Sequence, residues 1–262
     1  MPPKRKAEAD ATEENKKLHS ALKSVADEYV CPITQELPVN PAMAEDGRIY
    51  ERGAIEGWLA RPRPADQPVK SPVTNEKMGP RLLPAVQVRN SIKAMVQSGA
   101  LSGDKADAWR QRLAEEEEVA ETRRRAEGGD GAAAALLGHW YRLGNKGLAK
   151  DEAQTFKWFK RGSDLGHASA MALCGSCYGL GVGVAQNNSL AILYYGMAAT
   201  AGSQLGCHRL GDCYSHGFLG MPKDQAEAKR WYEKMPGCAM ADVNDASREK
   251  ARIWLREHSD VS

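Results

Sequence analysis

The chain has 262 residues, 27% of them charged, and a formal net charge of +2 at pH 7. This length predicts one large or two to three small domains, and the small net charge gives no electrostatic case for nucleic acid or a membrane as a partner. The sequence has no apolar signal core at its N-terminus and no long apolar run, which predicts a soluble protein that is not secreted and whose cysteines are reduced.

Residues 1–24 are charged and contain little that could be buried, so we expect a disordered tail there. Within this tail, Lys4, Arg5 and Lys6 follow two prolines, a pattern typical of a nuclear import signal. A solvated basic tail accounts for the same residues equally well. The expected location is therefore the cytoplasm, the nucleus or both.

The next stretch predicts a small unit of short strands and helices. Asp46-Gly47 is a strong signal for a hairpin turn, and Ile55 and Trp58 lie on one apolar face of the helix that follows. The predicted strands cover residues 29–30, 42–44 and 48–50, and a last helix covers about 88–96, with Ile92 and Val96 on one side.

A unit of this size buries only a small hydrophobic core and needs a further source of stability. Zinc would require cysteine and histidine pairs at ligand spacing, yet Cys31 is the only cysteine before residue 174 and His19 the only histidine before residue 139. We therefore expect hydrogen bonds and ion pairs to hold the unit, and the polar side chains available for them are Glu28, Glu36, Asp46, Arg48, Glu51, Arg52, Arg89 and Asn90.

Five motifs of residues 25–98 together resemble the U-box family. They are a tyrosine before CPIT-x-EL, a proline followed by DG-x-x-YER, I-x-x-WL, SPVT and a final RN-x-I. The resemblance implies a RING-like fold in which polar networks replace zinc. It assigns structural roles to Cys31, Pro32, Glu36, Pro41, Gly47, Tyr50, Glu51, Arg52 and Asn90. A generic strand–strand–helix unit without activity is the alternative.

The resemblance also implies a ubiquitin-protein ligase that forms no covalent intermediate, and hence no catalytic nucleophile, no metal and no cofactor. A conjugating enzyme would carry ubiquitin as a thioester, and the U-box would dock that enzyme and orient the thioester for attack by a substrate lysine. The docking residues that it implies are Ile33, Trp58, Pro72 and Asn75.

Two departures from the family pattern keep a second function open. Gln35 stands where some members have a larger apolar residue, and Lys70 and Asn75 flank the second loop, where many active members have an arginine. Lysine and asparagine can donate hydrogen bonds but lack the planar fork of a guanidinium. The alternative is a non-catalytic adaptor with a degenerate U-box.

Residues 104–126 predict one helix with a thin apolar stripe made of Ala106, Trp109, Leu113 and Ala120. We interpret it as a solvated connector that packs Trp109 on a neighbour. A dimerising coiled coil would need three or more sustained heptads, and this stripe has too few.

Residues 129–238 contain an internal repeat of about 36 residues, which predicts stacked helix–turn–helix units. Gly138, Gly175 and Gly211 occupy equivalent positions and would let two helices approach closely. The predicted N-caps of each second helix are Asp151, Asn187 and Asp224, and paired aromatic residues follow them at 158–159, 194–195 and 231–232.

This pattern resembles Sel-one-like repeats, which are related to tetratricopeptide repeats, and implies a surface for a protein substrate or adaptor. A mere spacer is the alternative. Residues 243–258 predict a helix that caps the stack. The expected fold is mainly α: a small zinc-free RING-like ββα U-box, a connector helix and a short α-solenoid.

Cys174 and Cys177 form a CxxC pair, which raises the question of a zinc site. Cys177 and Cys213, however, occupy the repeat position that Trp140 fills in the first unit. This equivalence indicates an apolar position, where free cysteine is a small hydrophobic residue, so we expect no metal site.

Overall fold

The computed structural model describes residues 17–18, 20–64, 67–235 and 244–260. The chain divides into two compact units, Met1–Ala114 and Glu115–Ser262. The predicted import signal at Lys4, Arg5 and Lys6 lies outside the described residues. Within the described part of the chain, no helix has both the length and the apolar character that a membrane crossing requires.

The first unit contains a three-stranded antiparallel sheet. Its strands are β1 (Pro41–Ala44), β2 (Ile49–Glu51) and β3 (Leu82–Pro84), in the order β2-β1-β3. The predicted hairpin is confirmed, because Ala42 pairs with Tyr50 and Gly47 takes the left-handed conformation at φ 74°. β3, which pairs with β1 as well, was not among the predicted strands. That strand has only three residues and ends in a proline, so it carries no alternation that the sequence could show.

The described residues of the first unit form the helices α1 (residues 20–28), α2 (Arg52–Leu59), α3 (Val86–Gln97) and the first part of α4 (Asp104–Glu127). The disorder predicted to residue 24 is wrong for residues 17–18 and 20–24, which are helical, and the predicted strand at 29–30 is a turn. Leu22 and Ala26 explain both errors, because they lie one helical turn apart and pack into the core together with Tyr29 and Val30.

The core of the first unit extends beyond the predicted boundary at residue 98. Trp109 of α4 is 2% exposed and packs with Ile92 and Val96 of α3, and its indole Nε1 donates to the carbonyl of Pro38 at 3.1 Å. The predicted apolar stripe of α4 is wrong at Ala120, which is exposed. Val119 is buried instead, within the second unit.

The second unit consists of paired helices followed by one further helix. They are α5 (Gly131–Leu143), α6 (Glu152–Asp164), α7 (Ala168–Leu180), α8 (Asn188–Thr200), α9 (Gln204–His216), a 3-10 turn (Phe218–Gly220), α10 (Gln225–Lys234) and α11 (Asp245–Glu257). Asp151, Asn187 and Asp224 cap α6, α8 and α10 as predicted, each accepting from a backbone N–H three residues later.

The repeated glycines do let each helix pair approach closely. A Cβ built on Gly138 would lie 2.4 Å from the Phe159 ring, and one on Gly211 would lie 2.4 Å from the Tyr232 ring. The Trp254 ring of α11 lies 5.0 Å from the ring of Tyr232 in α10. The aromatic residues therefore fill the space that the glycines leave and also connect the last pair to α11.

Candidate functional site

Two loops of the first unit have the same backbone construction. Residues 31–36 (CPITQE) and 71–76 (SPVTNE) each begin with a residue whose N–H donates to the carbonyl of the sixth, at 2.9 Å in both loops. The carbonyl of the first residue accepts from the N–H of the fifth, at 2.8 Å for Gln35 and 3.2 Å for Asn75. Gln35 and Asn75 also share a φ of 60°. We name these segments the first loop and the second loop.

The first loop is held by its buried cysteine. Cys31 is fully buried among Ala44, Tyr50, Ile55 and Met78. Ile33 is half-buried and packs against this cluster from the loop. The loop therefore presents Ile33 at the surface while its base is fixed in the core.

The second loop is tied to the hairpin by a network around Asp46. The Ser71 hydroxyl donates to the Asp46 carboxylate at 2.6 Å and accepts from the N–H groups of Val73 and Thr74 at 3.1 and 3.0 Å. The Tyr50 hydroxyl donates to the same carboxylate oxygen at 2.7 Å. This network fixes the loop without any metal ligand.

The network shifts the pKa of both acidic groups. Burial acts to raise the pKa of Asp46, but the hydrogen bonds from Ser71, Tyr50 and the Arg48 N–H, together with the Arg48 charge, outweigh it and leave that pKa lowered. Burial, followed by the hydrogen bond to Asp46, raises the pKa of Tyr50 to about 12. Asp46 is therefore an anion and Tyr50 a neutral donor at neutral pH.

Trp58 of α2 connects that helix to the second loop. Its Nε1 donates to the carbonyl of Lys70 at 2.9 Å, and its half-buried ring packs on the same cluster as Ile33. The Arg61 guanidinium lies 4.2 Å above the ring, at cation–π distance. Arg63 donates to the carbonyls of Trp58 and Leu59 and so satisfies the end of α2.

A second polar network joins the chain after the first loop to α4. The Glu51 carboxylate accepts from the backbone N–H groups of Val39 and Asn40 at 2.8 and 3.1 Å. Arg112 donates at 2.6 Å to Glu51 and at 2.6 Å to Glu36. Because both carboxylates meet one guanidinium, this network fixes the segment that leaves the first loop.

The structure places the residues singled out for docking as follows. Ile33 and Trp58 pack on one cluster, while Pro72 is half-buried and Asn75 exposed in the loop to which Trp58 bonds. Among the residues singled out for structural roles, Pro41 lies in β1, Gly47 in the hairpin turn, Pro32 in the first loop, Arg52 against Glu56 at 3.6 Å, and Asn90 at an exposed position of α3.

Two central residues of these networks were missed in the sequence. Ser71 could have been found from the internal similarity of CPITQE and SPVTNE, which gives it the position of Cys31. Arg112 lies beyond the predicted end of the domain, and no local signal indicates that it reaches Glu36 and Glu51.

Among the described residues, no cluster of histidine, cysteine and acidic side chains is arranged to hold a metal ion. Cys174, Cys177 and Cys213 are buried, and burial raises the pKa of these thiols to about 12, 11 and 11. Neutral, buried thiols are poor nucleophiles and poor metal ligands. His167 caps α7 by accepting from the Ala170 N–H.

The first helix of each repeat carries an equivalent row of residues, most of them exposed or half-buried, although Leu173 of the second row is buried. The rows are residues 132, 136, 139 and 143 in α5, 169, 173, 176 and 180 in α7, and 205, 209, 212 and 216 in α9. Leu143 and Leu180 are 59% and 77% exposed, whereas α9 presents Arg209, Asp212 and His216. A cavity of about 340 Å³ lies between the α7 and α9 rows. The face thus changes from apolar to charged along the stack.

Comparison with known families identifies both parts of the chain. Residues 25–99 match the U-box domain family. Residues 131–167, 168–203 and 204–235 each match the Sel1 repeat family.

Two curated relatives and one solved structure illustrate these similarities. U-box domain-containing protein 43 of Arabidopsis thaliana is 28% identical over 83 residues, which are 31% of this chain and 10% of that protein. WD repeat, SAM and U-box domain-containing protein 1 of Homo sapiens is 39% identical over 59 residues, 22% of this chain and 11% of that protein. The crystal structure of a Sel1 repeat protein from Oxalobacter formigenes has 29% identity and a TM-score of 0.42, covering 52% of this chain and 98% of that one. The chain thus spans about a tenth of the length of these two curated relatives.

Proposed function

Because residues 25–99 form a U-box domain and residues 131–235 form three Sel1 repeats, we propose that this chain is a ubiquitin-protein ligase whose repeats bind a substrate or partner protein. The observation that carries the proposal is the pair of matched loops beside α2, each fixed to the core at its first residue. They hold half-buried apolar side chains at one surface, as a small transient interface requires.

In this function, the U-box docks a conjugating enzyme that carries ubiquitin as a thioester. Ile33, Trp58, Pro72 and Asn75 form the docking site, and the substrate lysine attacks the thioester directly. The ligase contributes orientation and no covalent bond. Its loops suit this task because the Asp46 network and the Trp58 hydrogen bond restrict them to one geometry.

The repeats supply the second binding surface in this proposal. Their first helices present exposed leucines in the first two units and charged residues in the third. A face of mixed apolar and charged character fits a protein segment better than a small metabolite, which would call for an enclosed pocket.

A non-catalytic adaptor is the second candidate, and the second loop favours it. Lys70 and Asn75 flank this loop, and neither offers the bidentate fork of an arginine. Under this reading the U-box is a folded interaction module that docks a conjugating enzyme weakly or not at all.

An in vitro autoubiquitination assay with a panel of conjugating enzymes separates the two candidates. The wild type is expected to form ubiquitin chains with at least one enzyme, and Ile33→Ala is expected to abolish them while the fold is kept. Val86→Ala is the matched control, because Val86 is an apolar side chain of the same unit, 57% exposed at the start of α3. Chain formation that survives Ile33→Ala would refute the docking assignment.

If the wild type forms no ubiquitin chains, the second loop is the next region to test by substitution. Lys70→Arg is then the better rescue, because Asn75 adopts a φ of 60°, a left-handed conformation that asparagine tolerates better than arginine. Restored activity would place the defect at the missing guanidinium. Continued inactivity of Lys70→Arg would favour the adaptor.

A further inference from the structure

Three cationic residues at the surface of the first unit are linked to Trp58 directly or through one another. Arg61 stacks on the ring, Lys70 offers its carbonyl to the indole N–H, and Lys77 pairs with Lys70 through an isolated antiparallel bridge. All three side chains are exposed. We name Arg61, Lys70 and Lys77 the basic rim.

The two lysines of the basic rim oppose each other in an unfavourable way. Residues directly opposite in an antiparallel pair project from the same face with Cβ atoms about 5 Å apart, and like charges there destabilise the pair. In the described part of the chain, neither lysine forms an ion pair that would relieve this repulsion. A bound carboxylate would relieve it.

Hydrogen bonds fix the backbone on both sides of the Lys70–Lys77 bridge. The Met78 N–H donates to the carbonyl of Val69 at 3.0 Å, and the Ser71 N–H donates to the carbonyl of Glu76 at 2.9 Å. These bonds lie on either side of the Lys70–Lys77 bridge. The backbone therefore keeps the two lysines in directly opposite positions, from which both exposed side chains project on the same face.

Arg61 adds a guanidinium to the same site, whereas Arg63 does not. Both guanidinium nitrogens of Arg63 donate to the last carbonyls of α2. Arg61 lies over the face of the Trp58 ring and is exposed, so its guanidinium can donate to a carboxylate in bidentate geometry.

We infer that the basic rim binds acidic side chains of the conjugating enzyme and so selects enzymes that carry carboxylates at the edge of their docking surface. This inference rests on the proposed function, because the rim is continuous with Trp58 of the docking site. The hydrogen bond between Trp58 and Lys70 places the rim and the docking residue against the same bound protein, which favours the enzyme over a substrate as the source of the carboxylates.

Direct binding of the full chain to purified conjugating enzymes tests the inference without requiring catalysis. Biolayer interferometry would compare enzymes with acidic and with basic docking surfaces at low and at high salt. The charge reversals are Arg61→Glu and the double variant Lys70→Glu with Lys77→Glu. Lys93→Glu is the matched control for Arg61→Glu, because Lys93 is an exposed lysine on α3 and both replacements change the net charge by the same amount, whereas the double variant changes it by twice as much.

The double variant is expected to lose affinity for acidic enzymes by roughly tenfold, to gain affinity for basic ones, and to lose most of its salt dependence. Lys93→Glu is expected to behave as the wild type.

Equal binding of wild type and double variant by enzymes that depend on Ile33 would overturn the inference and leave the proposed function intact. If no enzyme shows binding that Ile33→Ala reduces, both fall together. Lys70→Gln with Lys77→Gln repeats the test with neutral side chains should the reversals disturb the loop.

Discussion

Replacing Glu51 with alanine removes the carboxylate on which the second polar network of the U-box depends. The side chain accepts from the N–H groups of Val39 and Asn40 and from Arg112. Val39 is almost fully buried, so its N–H would lose its acceptor without access to water, whereas the exposed Asn40 can turn to solvent. The variant therefore leaves one buried donor unsatisfied and one guanidinium half-paired.

The cost follows from these contacts. An unsatisfied buried N–H costs about 1–3 kcal/mol. The charged bond from Arg112 adds about 1 kcal/mol once solvent screening is allowed for, since the Arg112 and Glu51 side chains are 25% and 17% exposed. The free energy of unfolding should fall by about 2–4 kcal/mol, a large part of the roughly 5–15 kcal/mol that is typical of a domain.

Hydrogen exchange measured by mass spectrometry reports this loss locally in the full chain. Amides of α3, which lie in the core beside Trp109, should exchange about 30- to 700-fold faster, at about 1.4 kcal/mol for each factor of ten. Glu56→Ala is the control, because Glu56 is 55% exposed and meets only Arg52 at 3.6 Å. It should change exchange by less than about threefold. An equally small effect of Glu51→Ala would refute the view that polar networks hold this domain.

Two further predictions concern packing and pH. Gly211→Ala should lower the thermal midpoint of the repeats by the equivalent of about 1–3 kcal/mol, because the new Cβ would lie 2.4 Å from the buried Tyr232 ring. Gly196→Ala, whose Cβ would meet nothing within 4 Å, should instead stabilise the repeats by about 0.5–1 kcal/mol. The opposite order of stability would contradict the close approach of α9 and α10 at Gly211. Because the folded-state pKa of Tyr50 is raised from 10.0 to about 12, its contribution to stability is complete below the unfolded-state value and is lost as pH rises through that range. Urea midpoints of Tyr50→Phe should therefore fall less steeply than those of the wild type between about pH 10 and about pH 12, and identical slopes would show that folding does not raise the pKa of Tyr50.

Features with a local signal could be predicted from the sequence. The Asp46-Gly47 turn and the caps Asp151, Asn187 and Asp224 depend on residues within a few positions of one another. The repeated glycines were informative because the same spacing recurs in all three units, so each unit supports the interpretation of the others.

Features that depend on tertiary contacts could not be predicted in this way. Residues 20–24 follow a charged stretch and offer only Leu22 as a large apolar side chain, but packing of Leu22 against the core stabilises them as a helix. β3 exists because β1 offers a free edge. Arg112 joins the U-box network across about sixty residues of chain, and helix periodicity indicates only that α4 exists, not what its side chains reach.

The proposal that the U-box accelerates ubiquitin transfer without zinc and without a covalent intermediate can be tested in a single turnover. The assay follows the discharge of ubiquitin from a preloaded conjugating enzyme to free lysine. We expect the chain to accelerate discharge in the presence of a chelator. Cys31→Ala should retain the acceleration whenever it folds, and no thioester should form between the chain and ubiquitin. We also expect that Ile33→Ala removes the acceleration while Val86→Ala keeps it. Discharge at the unassisted rate with every enzyme in the panel, or acceleration that the chelator abolishes, would contradict the account of a zinc-free ligase.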